Sequence, residues 1–503
     1  MMQFIDYILN RTTMYRLVLY YLLAILVSAV VYGWVHILPY QPINILFSAV
    51  LITLVSLFVN ELCVHIFAAP ANTESTYITA LILALLITPI APTNLGGILL
   101  LAVASTVAIA SKYLITLRKK PIFNPAALGL VAMAFLFGHA ASWWAAGNLA
   151  LLPMILIGGI LLVRKLQRWD VVLAFFVAAL LSIFLTTAVP NISLLGQAVV
   201  HTSLLFLAFI MLTEPVTTPS IAWLRITYGI VVGILFAPAI HIGSIYSTPE
   251  LALIVGNIFS AIVNPRKKVH MTLTRIERTG KSSADFLFSP RTAFAYLPGQ
   301  YMEWTLPHTK TDMRGNRRYF TLASSPTEQE VRIGVKFTKN GSSFKRALLA
   351  LQPGGSMSAL ETGGTFTLPA SKTQKLVFIA GGIGITPFRS MLQYLLDRRE
   401  KRDIAVLYSN RTKEDIAYSS ILERARTELG TPVHYVLTEQ HPVPAYTYET
   451  VTPELIRKLI PDYQERIFYI SGPQAMITAF REILQDLGIP KRHIKTDFFP
   501  GFA

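Results

Sequence analysis

Three glycines and a threonine separate an apolar strand pattern from a helical pattern in the stretch AGGIGITPFRSML, residues 380–392. Glycines at a strand-to-helix turn let a diphosphate approach the backbone N–H groups at the helix N-terminus. The spacing differs from the three-glycine dinucleotide fingerprint, so the turn alone fits an ordinary strand–helix connection equally well. What it indicates depends on the motifs around it.

Five further motifs accompany the glycine turn in a fixed order: PGQY (298–301), RRYFTLASSP (317–326), KFTKNGSSFKRAL (336–348), YSNRT (408–412) and SGPQAM (471–476). Residues 270–370 also show short alternating segments, whereas residues 373–503 alternate apolar strands with helical segments. In this order the motifs resemble the ferredoxin–NADP reductases over residues 270–503. The resemblance implies an antiparallel β-barrel FAD domain at 270–370, an α/β NAD(P)-binding domain at 373–503, and an NAD(P)H-dependent, FAD-containing oxidoreductase.

Roles for individual residues follow from the resemblance by matching position. Arg318 would pair with the FAD diphosphate, because a guanidinium fork suits phosphate oxygens. Phe320 would stack on the flavin ring, Thr321 would hydrogen-bond near flavin N5, and Phe499 in the tail DFFPGF (497–502) would place an aromatic ring near the flavin. The remaining cofactor-binding candidates are Tyr319, Ser324, Gly341, Ser342, Ser343, Gly381, Gly382, Gly384, Thr386, Pro387, Gly472, Pro473 and Met476.

Ser409 and Arg411 follow the second strand of the α/β pattern, where the adenosine ribose would lie. An arginine there can accept a 2′-phosphate and favour NADPH. A solvent-exposed turn cation explains the same residue at least as well. The sequence therefore leaves NADH and NADPH both open.

Charge is divided unevenly along the 503-residue chain, because residues 1–265 contain 10 of the 44 Lys and Arg and 6 of the 28 Asp and Glu. The net charge of +16 suits a membrane surface or an anionic cofactor, and we see no basic block with interleaved aromatics that would indicate nucleic acid. Cys63 is the single cysteine, which excludes an intramolecular disulfide and an iron–sulfur cluster held by four thiolates of this chain.

Long apolar runs predict an α-helical membrane domain of about ten spans in residues 1–265. With ten spans, the loops that contain the Lys and Arg residues of 1–265 lie on the same side of the membrane as the N-terminus. The positive-inside rule then places both termini in the cytoplasm. We therefore expect a multi-pass protein of the cytoplasmic membrane. The runs lie near 15–38, 43–68, 76–90, 95–115, 124–138, 147–163, 170–189, 194–213, 222–240 and 249–264.

Two polar features stand out in this half. Asn60, Glu61 and His65 lie inside the second run, and ionisable groups at membrane depth usually face the protein interior and mark function. A structural hydrogen bond or a position near the interface is the alternative. The loops LLITPIAPT (85–93) and IMLTEPVTTP (210–219) resemble each other, which hints at a duplication of five plus five spans. Thr and Pro also simply end helices.

The stretches KKPIFNPAALGL (119–130), FIMLTEPVTTP (209–219) and 228–265 resemble a family of membrane proteins from two ion-pumping complexes over roughly residues 15–265. The complexes are the sodium-translocating NADH:quinone oxidoreductase and the Rnf complex, whose member of the family is RnfD. The resemblance implies flavin in a membrane redox chain tied to cation pumping. That family attaches FMN to a threonine, but residues 131–148 here contain none. We expect no covalent FMN and leave open a second, non-covalently bound flavin, FMN or riboflavin.

The two halves together predict an enzyme that passes electrons from cytoplasmic NAD(P)H through FAD to a quinone-like membrane acceptor, with cation transport as a further expectation of the resemblance. No metal site is expected, and neither partner subunits nor oligomeric state is indicated. One alternative is a channel or permease regulated by a flavoreductase sensor domain. Another is a transmembrane ferric reductase, which needs paired haem-ligating histidines. The membrane histidines lie on different predicted segments: His36, His65, His139, His201 and His241.

Overall fold

The computed structural model of the protein describes residues 12–67, 73–117, 120–187, 192–219, 221–263, 268–308, 312, 316–338, 341–439 and 451–497. The chain divides into two compact units, Met1–Arg266 and Lys267–Ala503. The first is mainly helical and the second is built on two sheets.

Helical structure occurs at each of the ten predicted spans of the first unit. Among the described residues, α1, α2, α4 and α7 are long and apolar enough to cross a membrane, and α3, α5, α10 and α11 are shorter apolar helices. The count of ten spans therefore stays a prediction. The helices are α1 (Met14–Trp34), α2 (Pro42–Phe67), α3 (Thr73–Leu86), α4 (Leu95–Leu114), α5 (Pro125–Phe137), α6 (Leu152–Leu166), α7 (Trp169–Thr186), α8 (Ile192–His201), α9 (Leu204–Phe206) with a π-helical turn at Leu207–Met211, α10 (Ala222–Leu235) and α11 (Pro249–Val263).

One arrangement of three packed helices is repeated within the first unit. Helix α4 packs on α2 and α5, and α10 packs in the same way on α7 and α11. Glycines permit the closest of these contacts, since a Cβ on Gly229 would lie 2.7 Å from the Val171 carbonyl oxygen and one on Gly233 would lie 2.7 Å from that of Phe175. The repeated pairing supports an internal duplication. Two short hairpins complete the unit, β1 (Thr116–Leu117) with β2 (Lys120–Pro121) and β3 (His241–Ile242) with β4 (Ile245–Tyr246).

A six-stranded antiparallel sheet begins the second unit, in the order β8-β7-β10-β5-β6-β9. Burial alternates along β7 and β9, as the period-2 pattern predicts, and the inward residues enclose Phe286, Phe288 and Trp304. Closure of this sheet into a barrel stays a prediction. The strands are β5 (Lys268–Arg278), β6 (Ser283–Pro290), β7 (Tyr301–Thr305), β8 (Arg317–Thr321), β9 (Val331–Lys336) and β10 (Ser356–Gly363), with the short helix α12 (Ser343–Leu349) before β10.

The second sheet is parallel, in the order β13-β12-β11-β14-β15. The chain adds β12 and β13 on one side of β11 and then β14 and β15 on the other, so the strand order reverses at β11, and the carboxyl ends of the strands at such a reversal are where α/β sheets bind ligands. The glycine turn directly follows β11 and therefore lies at this ligand-binding end of the sheet. The elements are β11 (Leu376–Gly381), β12 (Ile404–Asn410), β13 (Val433–Leu437), β14 (Ile467–Ser471) and β15 (Ile494–Thr496), with helices α13 (Thr386–Asp397), α14 (Ser419–Arg424), α15 (Pro453–Leu459) and α16 (Gln474–Asp486).

Candidate functional site

Arg318 and Phe320 lie on the inward side of strand β8 and are almost completely buried. The Arg318 guanidinium carbon lies 5.4 Å from the centre of the Phe344 ring, and the Phe320 ring lies 5.9 Å from the same ring. Tyr319 points the other way and meets the Tyr301 ring edge-on at 5.5 Å. A buried guanidinium beside an apolar ring suits a phosphate that is partly withdrawn from water.

Three residues assigned to the flavin diphosphate lead into helix α12: Gly341, Ser342 and Ser343. The Ser343 N–H donates to Asp312 Oδ2 at 2.7 Å, and its hydroxyl oxygen lies 2.9 Å from the Asp312 nitrogen and 3.0 Å from His308 Nε2. The Ser342 hydroxyl caps the helix by accepting from the Lys345 N–H at 3.3 Å. A carboxylate therefore occupies the predicted anion position, and a diphosphate would have to displace Asp312 from Ser343.

The glycine turn after β11 touches the turn after β14. A Cβ on Gly384 would lie 2.4 Å from the Ser471 carbonyl oxygen, and one on Gly472 would lie 2.6 Å from Met476 Cε. Gly382 has φ +52°, which favours glycine. Larger residues would push the two turns apart. The structure thus brings together the predicted nicotinamide-pocket residues Gly381, Gly382, Gly384, Thr386, Pro387, Gly472, Pro473 and Met476.

Helix α13 is tied to the chain segment that follows β8. The Arg389 guanidinium donates to the Ala323 carbonyl at 2.9 Å, and the Ser390 hydroxyl donates to the Ser324 carbonyl at 2.6 Å. Ser324, a predicted flavin-site residue, is fully buried and its hydroxyl accepts from the Arg332 N–H at 3.0 Å. These bonds hold the predicted nicotinamide helix against the predicted flavin strand.

Asp497 joins the two sheets and was missed by the sequence analysis. Its Oδ2 accepts from the Thr321 hydroxyl at 3.3 Å and from the Ser471 hydroxyl at 3.2 Å. Burial raises the pKa of Asp497 to about 7, and the two hydroxyl donors oppose the shift only in part. The only signal in the sequence was an acid immediately before the aromatic tail. Phe499, the predicted aromatic of that tail, lies outside the described residues.

Lys336 is a second residue that the sequence analysis did not single out. Its ammonium lies 3.9 Å from where a Cβ on Gly382 would be and 3.9 Å from Asp415 Oδ1. A half-exposed cation beside the glycine turn suits an anionic ligand.

Ser409 and Arg411 lie at the carboxyl end of β12. Ser409 is opposite Gly381 of β11 in the parallel register, next to the glycine turn. Arg411 Nε lies 3.3 Å from Glu439 Oε1, and both side chains are exposed. Arg411 therefore already has an acidic neighbour.

The predicted membrane trio is not brought together. The Asn60 side chain is buried and accepts hydrogen bonds from Thr76 at 2.9 Å and Tyr113 at 2.8 Å, whereas Glu61 and His65 are exposed on the outer face of α2. Successive helical residues point about 100° apart, so Asn60 faces α3 and α4 while the exposure of Glu61 and His65 fits the alternative of a position near the interface. A functional role for the trio stays a prediction.

A cavity of about 50 Å³ lies instead between α1, α3, α5, α6 and the segment after the π-helical turn. Glu214 lines it, and Glu214 Oε2 accepts from Asn124 Nδ2 at 2.8 Å and from the Thr217 hydroxyl at 3.3 Å. The Lys112 ammonium donates to the Ser75 carbonyl at 3.0 Å and lies within electrostatic reach of Glu214. Such a volume suits a few water molecules or a small cation. In the sequence, Glu214 stands out only as part of the repeated loop and of the stretch FIMLTEPVTTP (209–219).

The histidines of this unit do not form a haem site. All five, at positions 36, 65, 139, 201 and 241, are exposed in the structure. Axial haem ligands must instead converge between helices. The ferric-reductase alternative therefore gains no support.

Comparisons with known proteins divide the chain in the same way. Residues 146–270 match the NQR2, RnfD, RnfE family, and residues 378–482 match the oxidoreductase NAD-binding domain. Both matches confirm the resemblances stated above: over these residues the chain is similar to oxidoreductases of ferredoxin-reductase type and to RnfD-like membrane proteins.

Individual relatives match the second half. Ferredoxin–NADP reductase B of Sorangium cellulosum is 28% identical over 215 residues, which are 41% of this chain and 86% of that protein. A flavohemoprotein of Halalkalibacterium halodurans is 25% identical over 242 residues, which are 44% of this chain. The chain spans only 57% of that protein's length. The FAD/NAD-binding domain of nitric oxide dioxygenase from Vibrio cholerae aligns with a TM-score of 0.42 and 19% identity, over 46% of this chain and 98% of that chain.

Proposed function

We propose that the protein oxidises cytoplasmic NADH or NADPH at an FAD held by its second unit and delivers the electrons through its membrane unit to a quinone-like acceptor. The observation that carries the proposal is the Asp497 junction, where the predicted flavin strand and the end of a nicotinamide-sheet strand share one carboxylate. The matches to an oxidoreductase NAD-binding domain and to the RnfD-like family support FAD, NAD(P)H and a membrane outlet.

FAD, when bound, supplies the chemistry that accepts a hydride and releases electrons singly. The residues of this chain bind and orient the partners. Arg318 would hold the diphosphate and the contact between Gly384 and Gly472 would shape the nucleotide pocket, while Arg389 and Ser390 tie helix α13 to the segment after β8. The Thr321 and Ser471 hydroxyls would hold the Asp497 carboxyl group, which can exchange a proton, near the place predicted for flavin N5.

Cation transport is the finer part of the proposal, and we assign it to the Glu214 cavity. A carboxylate with amide and hydroxyl neighbours can bind a cation or a proton, and Lys112 nearby can compensate its charge when the cation leaves. A second, non-covalently bound flavin, FMN or riboflavin, would relay electrons within the membrane unit. The RnfD-like match supports this relay, because the resemblance implies flavin in a membrane redox chain.

Liposomes test the outlet. The full-length protein should oxidise NAD(P)H faster when a lipid-soluble quinone is supplied, whereas a fragment of residues 270–503 should reduce ferricyanide but gain nothing from quinone. Equal quinone rates for the fragment and the full-length protein would contradict the membrane outlet. Ion flux through the full-length protein without quinone-linked oxidation would instead favour a channel regulated by its flavoreductase unit.

A further inference from the structure

Arg411 and Glu439 form an exposed ion pair just beyond the ends of strands β12 and β13. Their side chains approach to 3.3 Å, and the Glu439 N–H donates to the Arg411 carbonyl at 3.0 Å. A second backbone bond, from the Thr438 N–H to the Asn410 carbonyl at 3.0 Å, extends the pairing of the strands up to this point. The backbone of the pair therefore belongs to the sheet, although the side chains reach solvent.

Arg411 follows β12, one strand away from the strand that precedes the glycine turn, and Glu439 follows β13, two strands away. In register, Gly381 of β11 lies opposite Ser409 of β12, which lies opposite Val436 of β13. Neighbouring strands are about 4.8 Å apart and a strand rises about 3.3 Å per residue, so Arg411 and Glu439 lie roughly 8 and 14 Å from Gly381, where the turn that would bind the nucleotide begins. An adenosine that continues from the nucleotide's diphosphate across the carboxyl ends of β12 and β13 would place its ribose beside Arg411 and Glu439.

We infer that Glu439 makes NADH the preferred nucleotide, an inference that rests on the proposed oxidation of NAD(P)H. A carboxylate accepts a hydrogen bond from the ribose 2′-hydroxyl of NADH but repels the 2′-phosphate of NADPH. Arg411 is the residue that would otherwise attract that phosphate, and Glu439 neutralises it at 3.3 Å. The arginine alone points to NADPH, whereas the pair points to NADH.

The test uses full-length protein in detergent, with kcat/KM for NADH and NADPH measured by ferricyanide reduction. The wild type should prefer NADH by about threefold to fivefold, the size of one charge contact between exposed groups. Glu439→Gln should remove most of that preference, mainly through a lower KM for NADPH, and the change should shrink at high salt. Glu423→Gln is the matched control, because Glu423 forms a similar exposed pair with Arg426 at 3.7 Å.

Calorimetric titration with NAD⁺ and NADP⁺ reports the same preference without turnover. Tighter binding of NADP⁺ by the wild type, or an unchanged preference in Glu439→Gln, would overturn the inference. Protein that binds NAD⁺ preferentially yet oxidises neither reduced nucleotide would overturn the proposed function and uphold the role of Glu439. A general loss of structure would lower the affinity for both nucleotides together and leave their ratio at the wild-type value, which also counts against the inference.

Discussion

The Thr321 hydroxyl, at the end of strand β8, donates to Oδ2 of Asp497 at a distance of 3.3 Å. These residues lie 176 positions apart in the chain. Ser471 donates to the same oxygen at 3.2 Å, so one buried carboxylate links the end of β8 to the end of β14. The proposed flavin and nicotinamide sites therefore meet at a group that can change its protonation near neutral pH.

Asp497→Asn should remove a pH dependence of stability that lies between about pH 4 and about pH 7. Burial raises the pKa of Asp497 to about 7, while an unfolded aspartate titrates near 3.9. The folded state thus holds a proton that the unfolded state has lost, and stability should fall as pH rises from about 4 to about 7, by at most about 4 kcal/mol. Asparagine cannot ionise, so thermal unfolding of the variant should show no such change of stability with pH. Ferricyanide reduction by the variant should likewise lose the dependence on pH that ionisation of this carboxyl would cause near pH 7. Exposed Asp486→Asn is the control, and an unchanged profile in Asp497→Asn would contradict the assignment.

Arg318→Ala should weaken FAD retention by about tenfold or more, because a charge-assisted contact to phosphate is lost. Flavin absorbance per protein after gel filtration measures it. Arg317→Ala is the control, since Arg317 is more exposed and lies 4.0 Å from Glu303. Arg318→Lys separates charge from packing: it should recover part of the affinity if phosphate binding is the role. Full flavin content in Arg318→Ala would disprove that role.

Ser390→Ala should slow hydride transfer several-fold and leave the KM for the nicotinamide nucleotide nearly unchanged. The lost bond to the Ser324 carbonyl holds helix α13 against the flavin strand, and small errors in donor–acceptor distance cost rate. Stopped-flow flavin reduction with NADH and with NADH deuterated at C4 measures it. Gln393→Ala, which removes a side chain bonded to Asp397 within the same helix, should leave the rate unchanged. A change in KM alone would show that Ser390 affects binding rather than position.

Glu214→Gln should slow the quinone-linked rate in liposomes and leave ferricyanide reduction intact, because ferricyanide can take electrons before they reach the membrane unit. Glu61→Gln should leave both rates unchanged, since Glu61 is exposed on α2 and lies outside the cavity. A slower quinone-linked rate in Glu61→Gln with an unchanged rate in Glu214→Gln would assign the proton or cation site to Glu61. Glu214 would then act only as a hydrogen-bond acceptor for Asn124.

The membrane unit should carry no covalent flavin. Residues 131–148 contain no threonine, so denatured protein on a gel should show no flavin fluorescence. Acid-released flavin from the native protein should exceed one per chain if the second flavin is present. A fluorescent band would place an attachment site elsewhere in the chain.

Local sequence patterns are enough to predict the two-part architecture and to recognise the main motifs. Apolar runs, the period-2 strands and the glycine turn are local patterns, and each is imposed by neighbouring residues on the same segment. Gly381, Gly384 and Gly472 could be chosen from the motifs, because a close approach of backbone to ligand or to backbone tolerates no side chain. The matching order of motifs then predicted the enzyme class.

Which polar groups meet depends on how the segments pack, and local sequence patterns do not reveal it. Asn60 and Glu61 are adjacent in sequence, yet the first is buried against neighbouring helices and the second is exposed, a distinction that depends on what packs on α2. Asp497 acquires its raised pKa from burial between two sheets, and Arg411 acquires an acidic neighbour from the pairing of β12 with β13. Desolvation and charge contacts act through space and depend on distance, so residues far apart in the chain determine them together.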